Sequence, residues 1–267
     1  MNNAVAIIGC GWLGLPLGKK LIEVGFKVQG STTSENKIDA LSNAGIIPFM
    51  VSLSENAITG HIDKLLDNAT ILIINVPPKL RGERNENYVS KMQLLLNALQ
   101  KSKIKKVLFV SSTAVYGDIS GDVTEKTTPQ PNTESGKQLL ASENIFTTCP
   151  QFETTIVRFG GLIGLNRHPI NMLSGRKNLR NGNHPINLIH LDDCINILLL
   201  TLKNNWWGEL INAVYPNHPT KSTYYTQKAN EQGLISPGYL KASIGEGKKI
   251  VSNRLLNVKK YVFHTSI

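Results

Sequence analysis

The amino-acid sequence predicts an α/β protein: a doubly wound parallel sheet with a small irregular C-terminal lobe. Three observations carry that expectation. Over the first 160 residues, short apolar β-rich runs alternate with longer segments of helical periodicity, as when crossover helices join parallel strands. A glycine-rich turn stands directly between the first strand and the first helix. From about residue 165 the rhythm breaks into sequence rich in Asn, Gly, Arg, His and Pro.

In chain order, Ala4–Ile8 reads as the first strand, followed by a helix from about Trp12 to Val24. Phe26–Gly30 is a second strand that runs into the polar segment Ser31-Thr32-Thr33-Ser34. Ile46–Val51 is a weaker third, interrupted by Pro48, and Ile71–Asn75 an apolar fourth. Val89, Met92, Leu95, Leu96 and Leu99 fall on one helical face and predict a helix over Asn87–Gln100. Val107–Val110 and Thr154–Val157 are the fifth and sixth strands. Residues 165–187 show no clear period, and a helix resumes over Asp192–Leu202. From Tyr215 on, Pro216, Pro219, Gly233, Pro237, Gly245 and Gly247 punctuate short segments.

Composition narrows the class. Hydrophobic residues at 41% supply a real core, and 18% charged residues argue against a disordered chain. Cys10, Cys149 and Cys194 are far apart, which suits free thiols in a reducing compartment and gives no metal-binding spacing. His168, His184 and His190 lack metal-motif spacing too, so no metal is expected. The N-terminal apolar run is too short for a signal peptide, and no stretch approaches the ~18 apolar residues of a membrane span. The expectation is a soluble, cytoplasmic monomer or homodimer with no membrane contact.

Net charge is +10, unevenly placed: residues 1–165 carry 16 Lys/Arg against 14 Asp/Glu, the remaining 102 carry 13 against 5. Such a field attracts anions, or else is a solvated surface that aids solubility. No aromatic-basic interleaving and no nucleic-acid motif accompanies it, so the expected partner is a small-molecule substrate and no nucleic acid.

Gly9-Cys10-Gly11-Trp12-Leu13-Gly14 matches G-x-G-x-x-G in the place the motif requires, between an apolar strand and an amphipathic helix. The first glycine makes the tight turn, the second lets backbone approach a pyrophosphate, and the third allows close helix–strand packing. Residues 1–164 are therefore read as a Rossmann-type NAD(P)-binding domain, and 165–267 as a small substrate-side lobe interleaved with it. NAD sites usually present a carboxylate at the tip of the second strand, whereas a 2′-phosphate needs donors and positive charge. Here Ser31, Thr32 and Thr33 stand at the tip and Lys37 follows, with Glu35 close by. The expected cofactor is NADP, with NAD the alternative.

Further segments resemble the extended short-chain dehydrogenase/reductases, the NAD(P)-dependent epimerase/dehydratase-like family. Ser111-Ser112-Thr113-Ala114-Val115-Tyr116-Gly117 is similar to the family's Ser-Ser-x-x-Val-Tyr-Gly signature. Glu125 with Pro129 and Pro131 resembles the approach to its catalytic helix, and Ile189-His190-Leu191-Asp192-Asp193-Cys194 the opening of its later helix. The resemblance spans most of residues 4–200. It implies that Asn75, Val76 and Pro77 border the cofactor together with Ser111, and that Pro78 faces the substrate.

The resemblance also implies a tyrosine acid/base whose pKa, about 10 when free, is lowered by a lysine four residues later. Anchored on Pro131 and Glu143, this sequence has Ser135 at the tyrosine position and Leu139 at the lysine position. Moving the register to use Lys137 puts Thr133 where tyrosine belongs. The chain resembles atypical members lacking the dyad. The catalytic candidates are then Ser112 and Thr113 at the polar position, with Tyr116 the nearest phenol. On the substrate side the resemblance points to Arg158 and Gly160, with Arg167 and Arg176 as candidate anion binders. Two functions follow from this reading. One is an oxidoreductase or epimerase/dehydratase-like enzyme acting on a small, anionic or sugar-like substrate. The other is a non-catalytic dinucleotide-binding protein that senses or regulates.

Overall fold

The computed structural model describes residues 4–78, 86–241 and 245–267. β1 (Ala4–Ile8) is buried along its whole length and leads through Gly9 into α1 (Gly14–Glu23). There follow β2 (Lys27–Thr32), a 3-10 turn (Glu35–Lys37), α2 (Ile38–Asn43), β3 (Ile47–Leu53), β4 (Ile58–Gly60) and α3 (Ile62–Leu66). β5 (Ile71–Ile74), α4 (Tyr88–Leu99) and β6 (Lys106–Ser112) continue the alternation, and β6 runs into a 3-10 turn, Thr113–Tyr116. β7 (Gly121–Val123), α5 (Glu134–Thr147), β8 (Glu153–Phe159) and β9 (Gly161–Ile163) come next. The last third holds α6 (Ile170–Leu173), β10 (Leu188–His190), α7 (Leu191–Lys203), β11 (Leu210–Ala213), α8 (Lys221–Glu231), β12 (Lys248–Ile250) and a π-helical turn, Arg254–Val258.

The central sheet has eight strands in the order β4-β3-β2-β1-β5-β6-β8-β11. Neighbours run parallel except β3 with β4. From β1 the chain first builds outwards through β2 and β3, then crosses back to place β5 on the other side of β1. The order reverses there, and a crevice opens beyond the C-terminal ends of β1 and β5, the usual ligand site of such sheets.

Strand side chains alternate between the two faces, and helices cover both. Ala6 and Ile8 join one core with Leu72, Ile74, Phe109 and the apolar faces of α4 and α5. Val5 and Ile7 join the other with Ile73, Leu108, Leu17 and Leu21 of α1 and Ile197 and Leu198 of α7. A third cluster, with Ile170, Ile186, Tyr224 and Tyr225, stands beside these two. Strand β9 pairs with β10, and β12 pairs with β7.

The expected strands and helices of the first 160 residues are present. β3 is not interrupted at Pro48, which is its second residue and sits opposite Gly30, near the strand start where proline is tolerated. β4, β11 and α8 lie where the sequence reading placed no element. α7 and β11 belong to the main layers: α7 packs on the face covered by α1, and β11 extends the sheet from β8. Asp193, in the first turn of α7, is fully buried. Its carboxylate accepts hydrogen bonds from Tyr261 Oη at 2.6 Å and from the amides of His264 at 2.9 Å and Thr265 at 3.1 Å. The Thr265 hydroxyl donates to it as well. One side chain thus fastens residues 261–265 to the main body.

Candidate functional site

The glycine loop sits at the crevice, and its glycines serve different ends. Gly9 has φ +100°, and a Cβ there would lie 2.5 Å from the Asn75 carbonyl oxygen. Gly14 packs so closely that a Cβ would clash with the Gly9 carbonyl. A Cβ on Gly11 would meet nothing within 4 Å, so packing among the described residues does not require a glycine there. Asn75 Nδ2 donates to Gly9 O at 2.9 Å, and Gly9 N donates to Ser31 Oγ at 2.9 Å. The loop is therefore strapped from both neighbouring strands. Leu13 at the start of α1 provides no side-chain cap, the Leu15 amide donates to Gly11 O at 3.0 Å, and Pro16 brings no N–H to the first turn. Cys10 is buried beside the loop, and burial pushes its thiol up to about 12, so it is no nucleophile.

At the β2 tip the candidates divide. Ser31 and Thr32 are buried, with Ser31 holding Gly9 and the Thr32 hydroxyl donating to Ser34 O at 3.3 Å. Thr33 and Lys37 are exposed beyond them. Across the crevice, Asn75 and Val76 are half-buried, Pro77 is exposed and Pro78 is buried. The Val76 carbonyl accepts from Tyr88 Oη at 2.7 Å. Tyr88, on α4, is a determinant of this edge that no motif pointed out.

The β6 turn is more heavily committed than its sequence suggests. Ser111 Oγ donates to Glu143 Oε1 at 2.6 Å, inside the protein. Ser112 Oγ accepts from the Ala114 amide at 3.2 Å, its own proton has no acceptor among the described residues, and the side chain is half-buried. Thr113 is buried. Tyr116 is fully buried, donating to Asn212 Oδ1 at 2.9 Å, and burial raises its pKa despite Arg158 nearby. That phenol is walled off from the crevice in this conformation.

Arg158, expected on the substrate side, is buried and bonded to Glu143. Its Nε and Nη2 bond to Glu143 at 3.0 and 2.6 Å, and its guanidinium lies 4.9 Å from the Tyr116 ring centroid, all in the interior. Burial pulls this guanidinium towards neutrality, but the bond and charge of Glu143 outweigh it and hold its pKa above the usual value. Gly160 is also buried: its amide donates to Ala213 O, and a Cβ would lie 2.6 Å from Asn187 O. The glycine is there for a tight crossing from β8 to β9. Arg176 is exposed, and its backbone bonds to Leu173 and Gly238.

Arg167 lies elsewhere than a substrate wall alone would suggest. Its guanidinium stacks 4.8 Å from the ring of Trp12, and Trp12 Nε1 donates to Leu165 O at 3.5 Å. Gly164 permits this contact, since a Cβ there would lie 3.2 Å from the indole. Residues 164–167 thus reach across to the glycine loop. On α5, Ser135 is half-buried and Leu139 is buried in the core, while Gly136 packs against the Ala114 carbonyl. The first turn of α5 is thereby pressed onto the Thr113–Tyr116 turn. His190 caps α7 by accepting the Asp192 amide through Nδ1 at 3.2 Å, which is a structural role. Among the described residues no helix is long and apolar enough to cross a membrane.

A doubly wound sheet with a strapped glycine loop at its switch point defines a dinucleotide-binding protein of the Rossmann class. Residues 81–213 match the family described as NAD dependent epimerase/dehydratase. Protein YeeZ of Escherichia coli strain K12 is 34% identical over 256 residues, covering 95% of this chain and 93% of its own. The chain belongs to the NAD-dependent epimerase/dehydratase family. A putative NAD-dependent epimerase/dehydratase from Methylobacillus flagellatus superposes with TM-score 0.76 at 25% identity, over 98% of this chain and 92% of its own. UDP-glucuronic acid 4-epimerase from Bacillus cereus, solved in complex with NAD, superposes with TM-score 0.80 at 19% identity, over 98% and 92%. The second likeness bears on fold alone.

Proposed function

We propose that this protein is an NADP-linked oxidoreductase or epimerase-like enzyme acting on a small anionic, sugar-like substrate. The observation that carries the reading is the glycine loop: two glycines required by the protein's own packing, and a third, Gly11, with open space before it. Family membership supports a dinucleotide cofactor. The β2 tip favours the 2′-phosphate, because Thr33 and Lys37 are exposed there and Ser31, Thr32 and Thr33 put no carboxylate at the strand end. Arg167, held over Trp12, would bring positive charge to the pyrophosphate.

A bound nicotinamide supplies hydride transfer. The chain supplies the rest. Gly11, Trp12 and Leu13 present backbone to the phosphates, Asn75, Val76 and Pro77 line the crevice edge, and Ser112 donates its free hydroxyl proton to a substrate oxygen. Thr113 and Pro78 shape the wall beside it. The three free cysteines are buried, which favours a reducing, cytoplasmic setting. A second reading rests on Leu139: an apolar side chain buried where the family resemblance puts lysine favours dinucleotide binding without redox chemistry.

A fluorescence titration with NADPH and, separately, NADH tests the proposal, with Trp12 in the loop as reporter. We expect saturable NADPH binding, weaker NADH binding, and loss of both in Gly11→Asp. Absence of binding by either cofactor overturns the reading. Tight binding with no turnover across anionic sugar substrates favours the second.

A further inference from the structure

The glycine loop and the Ser112 turn follow different strands, β1 and β6, and one side chain joins the elements that stand behind them. Tyr88 opens α4 and is fully buried. Its Oη donates to the Val76 carbonyl at 2.7 Å, and its amide donates to Gln138 Oε1 on α5 at 2.6 Å. An amide in the first turn of a helix has no partner within that helix, so α5 supplies one. Burial pushes the pKa of the phenol up, which keeps it protonated and a donor. The start of α4 is held from a third side, where the Asn87 amide donates to Glu55 Oε2 at 2.8 Å.

From Val76 the contacts run on to the glycine loop. The Asn75 amide donates to Ile8 O at 2.9 Å, and the Asn75 side chain donates to Gly9 O at 2.9 Å. Gly9 O also accepts the Gly11 amide at 2.8 Å. A Cβ on Gly9 would lie 2.5 Å from the Asn75 carbonyl oxygen and 3.4 Å from Val76 Cγ2, so both residues lie directly against the loop. Contacts this close leave no slack, and a shift of the Val76 peptide is passed on to Gly9 and Gly11. From Gln138 the contacts run the other way. Its Nε2 donates to Glu134 Oε1 at 2.7 Å, which fixes the way its side-chain amide faces. One turn of α5 lies against the Ser112 turn: a Cβ on Gly136 would come 2.8 Å from the Ala114 carbonyl oxygen, and the Ala114 amide donates to Ser112 Oγ at 3.2 Å.

We infer that Tyr88 is a positioning residue that braces β5 against α5 and so sets the separation between the glycine loop and Ser112. Being fully buried, it acts through Val76 and Gln138. The inference rests on the proposed reading only for what the two ends bind; the brace itself is a property of the protein without cofactor.

Hydrogen exchange of the whole protein without cofactor, beside NADPH titration, tests it. Tyr88→Phe keeps the ring and deletes one hydrogen bond. Exchange over residues 9–11 and 112–116 should speed about fivefold, the worth of one neutral hydrogen bond, while β8 and β11 keep their wild-type rates. NADPH affinity should fall by a similar factor. Gln138→Met, which removes the acceptor at the other end of the brace, should do the same. Tyr225→Phe, at a buried tyrosine of the third cluster, should match wild type in both measurements. A tyrosine that only adds stability would speed the most protected amides throughout, β8 and β11 included, and that result overturns the role. So does unchanged exchange or unchanged NADPH affinity in Tyr88→Phe, or loosening in Tyr88→Phe with none in Gln138→Met. If wild type binds no NADPH, the cofactor reading falls and the exchange pattern alone decides the brace.

Discussion

Gly9 and Gly11 share a motif and differ in what they answer to. A side chain at Gly9 must accept a left-handed backbone, φ +100°, and a collision with the Asn75 carbonyl. Gly9→Ala is expected to cost about 1–3 kcal/mol of stability and to abolish cofactor binding. Gly11→Ala meets no protein atom, so its stability should stay within about 0.5 kcal/mol of wild type while NADPH affinity falls. Urea unfolding beside NADPH titration separates the two. Equal destabilisation would show that Gly11 also serves packing. The spacing in the sequence announced both glycines, but the division of labour depends on Asn75, 66 residues away.

Arg158 shows the limit of sequence at the same scale. In the linear chain it is a cation before two glycines, and the charge pattern gives no sign that Glu143 on α5 will meet it. Removing one partner strands a buried charge, so Glu143→Gln should destabilise by about 3–5 kcal/mol. The double change Glu143→Leu with Arg158→Met should recover most of that loss. If the double variant were as unstable as the single one, the pair would be doing more than neutralising itself. The place of Ser112 at the end of β6 was legible because it follows an apolar strand.

At the level of elements, periodicity served best where an element buries a whole face. β1, β5, α4 and α7 all do so, and their places were legible. α8 buries only Tyr224, Tyr225 and Ala229, too few for an apolar stripe, so tertiary packing makes a helix that the pattern does not advertise. β4 and β11 are three and four residues long and take their shape from the sheet edges they complete.

Glu209, just before β11, receives Arg254 at 3.0 Å and Lys259 at 2.5 Å and so ties the sheet edge to the π-helical turn. Burial raises its pKa, but the bonds and charges of Lys259 and Arg254 outweigh that and hold it below the ordinary carboxylate value. A folded pKa below the unfolded one means the contribution is complete above the unfolded value and is lost as pH falls through the folded one. Glu209→Gln should therefore cost about 1 kcal/mol near neutrality. The gap from wild type should close as pH drops below the carboxylate range. A gap that persisted in acid would mean that packing, not charge, is responsible.

For the whole molecule, sheet order makes the crevice, and residues 164–167 reach its glycine loop through Trp12. NADPH arriving at the glycine loop should therefore slow amide exchange in residues 164–173 as well as in the loop itself. Protection confined to residues 9–14 would mean that the contact is passive. Strand alternation made the parallel sheet legible, and the glycine motif located the switch point. The way the last third feeds α7 and β11 back into the main layers was not legible, because it depends on contacts across the whole chain.

The fastening of residues 261–265 by Asp193 also bears on how the molecule is born. A chain leaving the ribosome exposes α7 long before Tyr261, His264 and Thr265 emerge. Until they do, Asp193 has none of these donors, and sealing the α1–α7 face would entomb a bare negative charge. Synthesis order thus delays completion of that face until residues 261–265 have emerged, even though its strands are made early. Ribosome-bound chains stopped before residue 261 should expose Cys194, otherwise buried in that face, to thiol reagents.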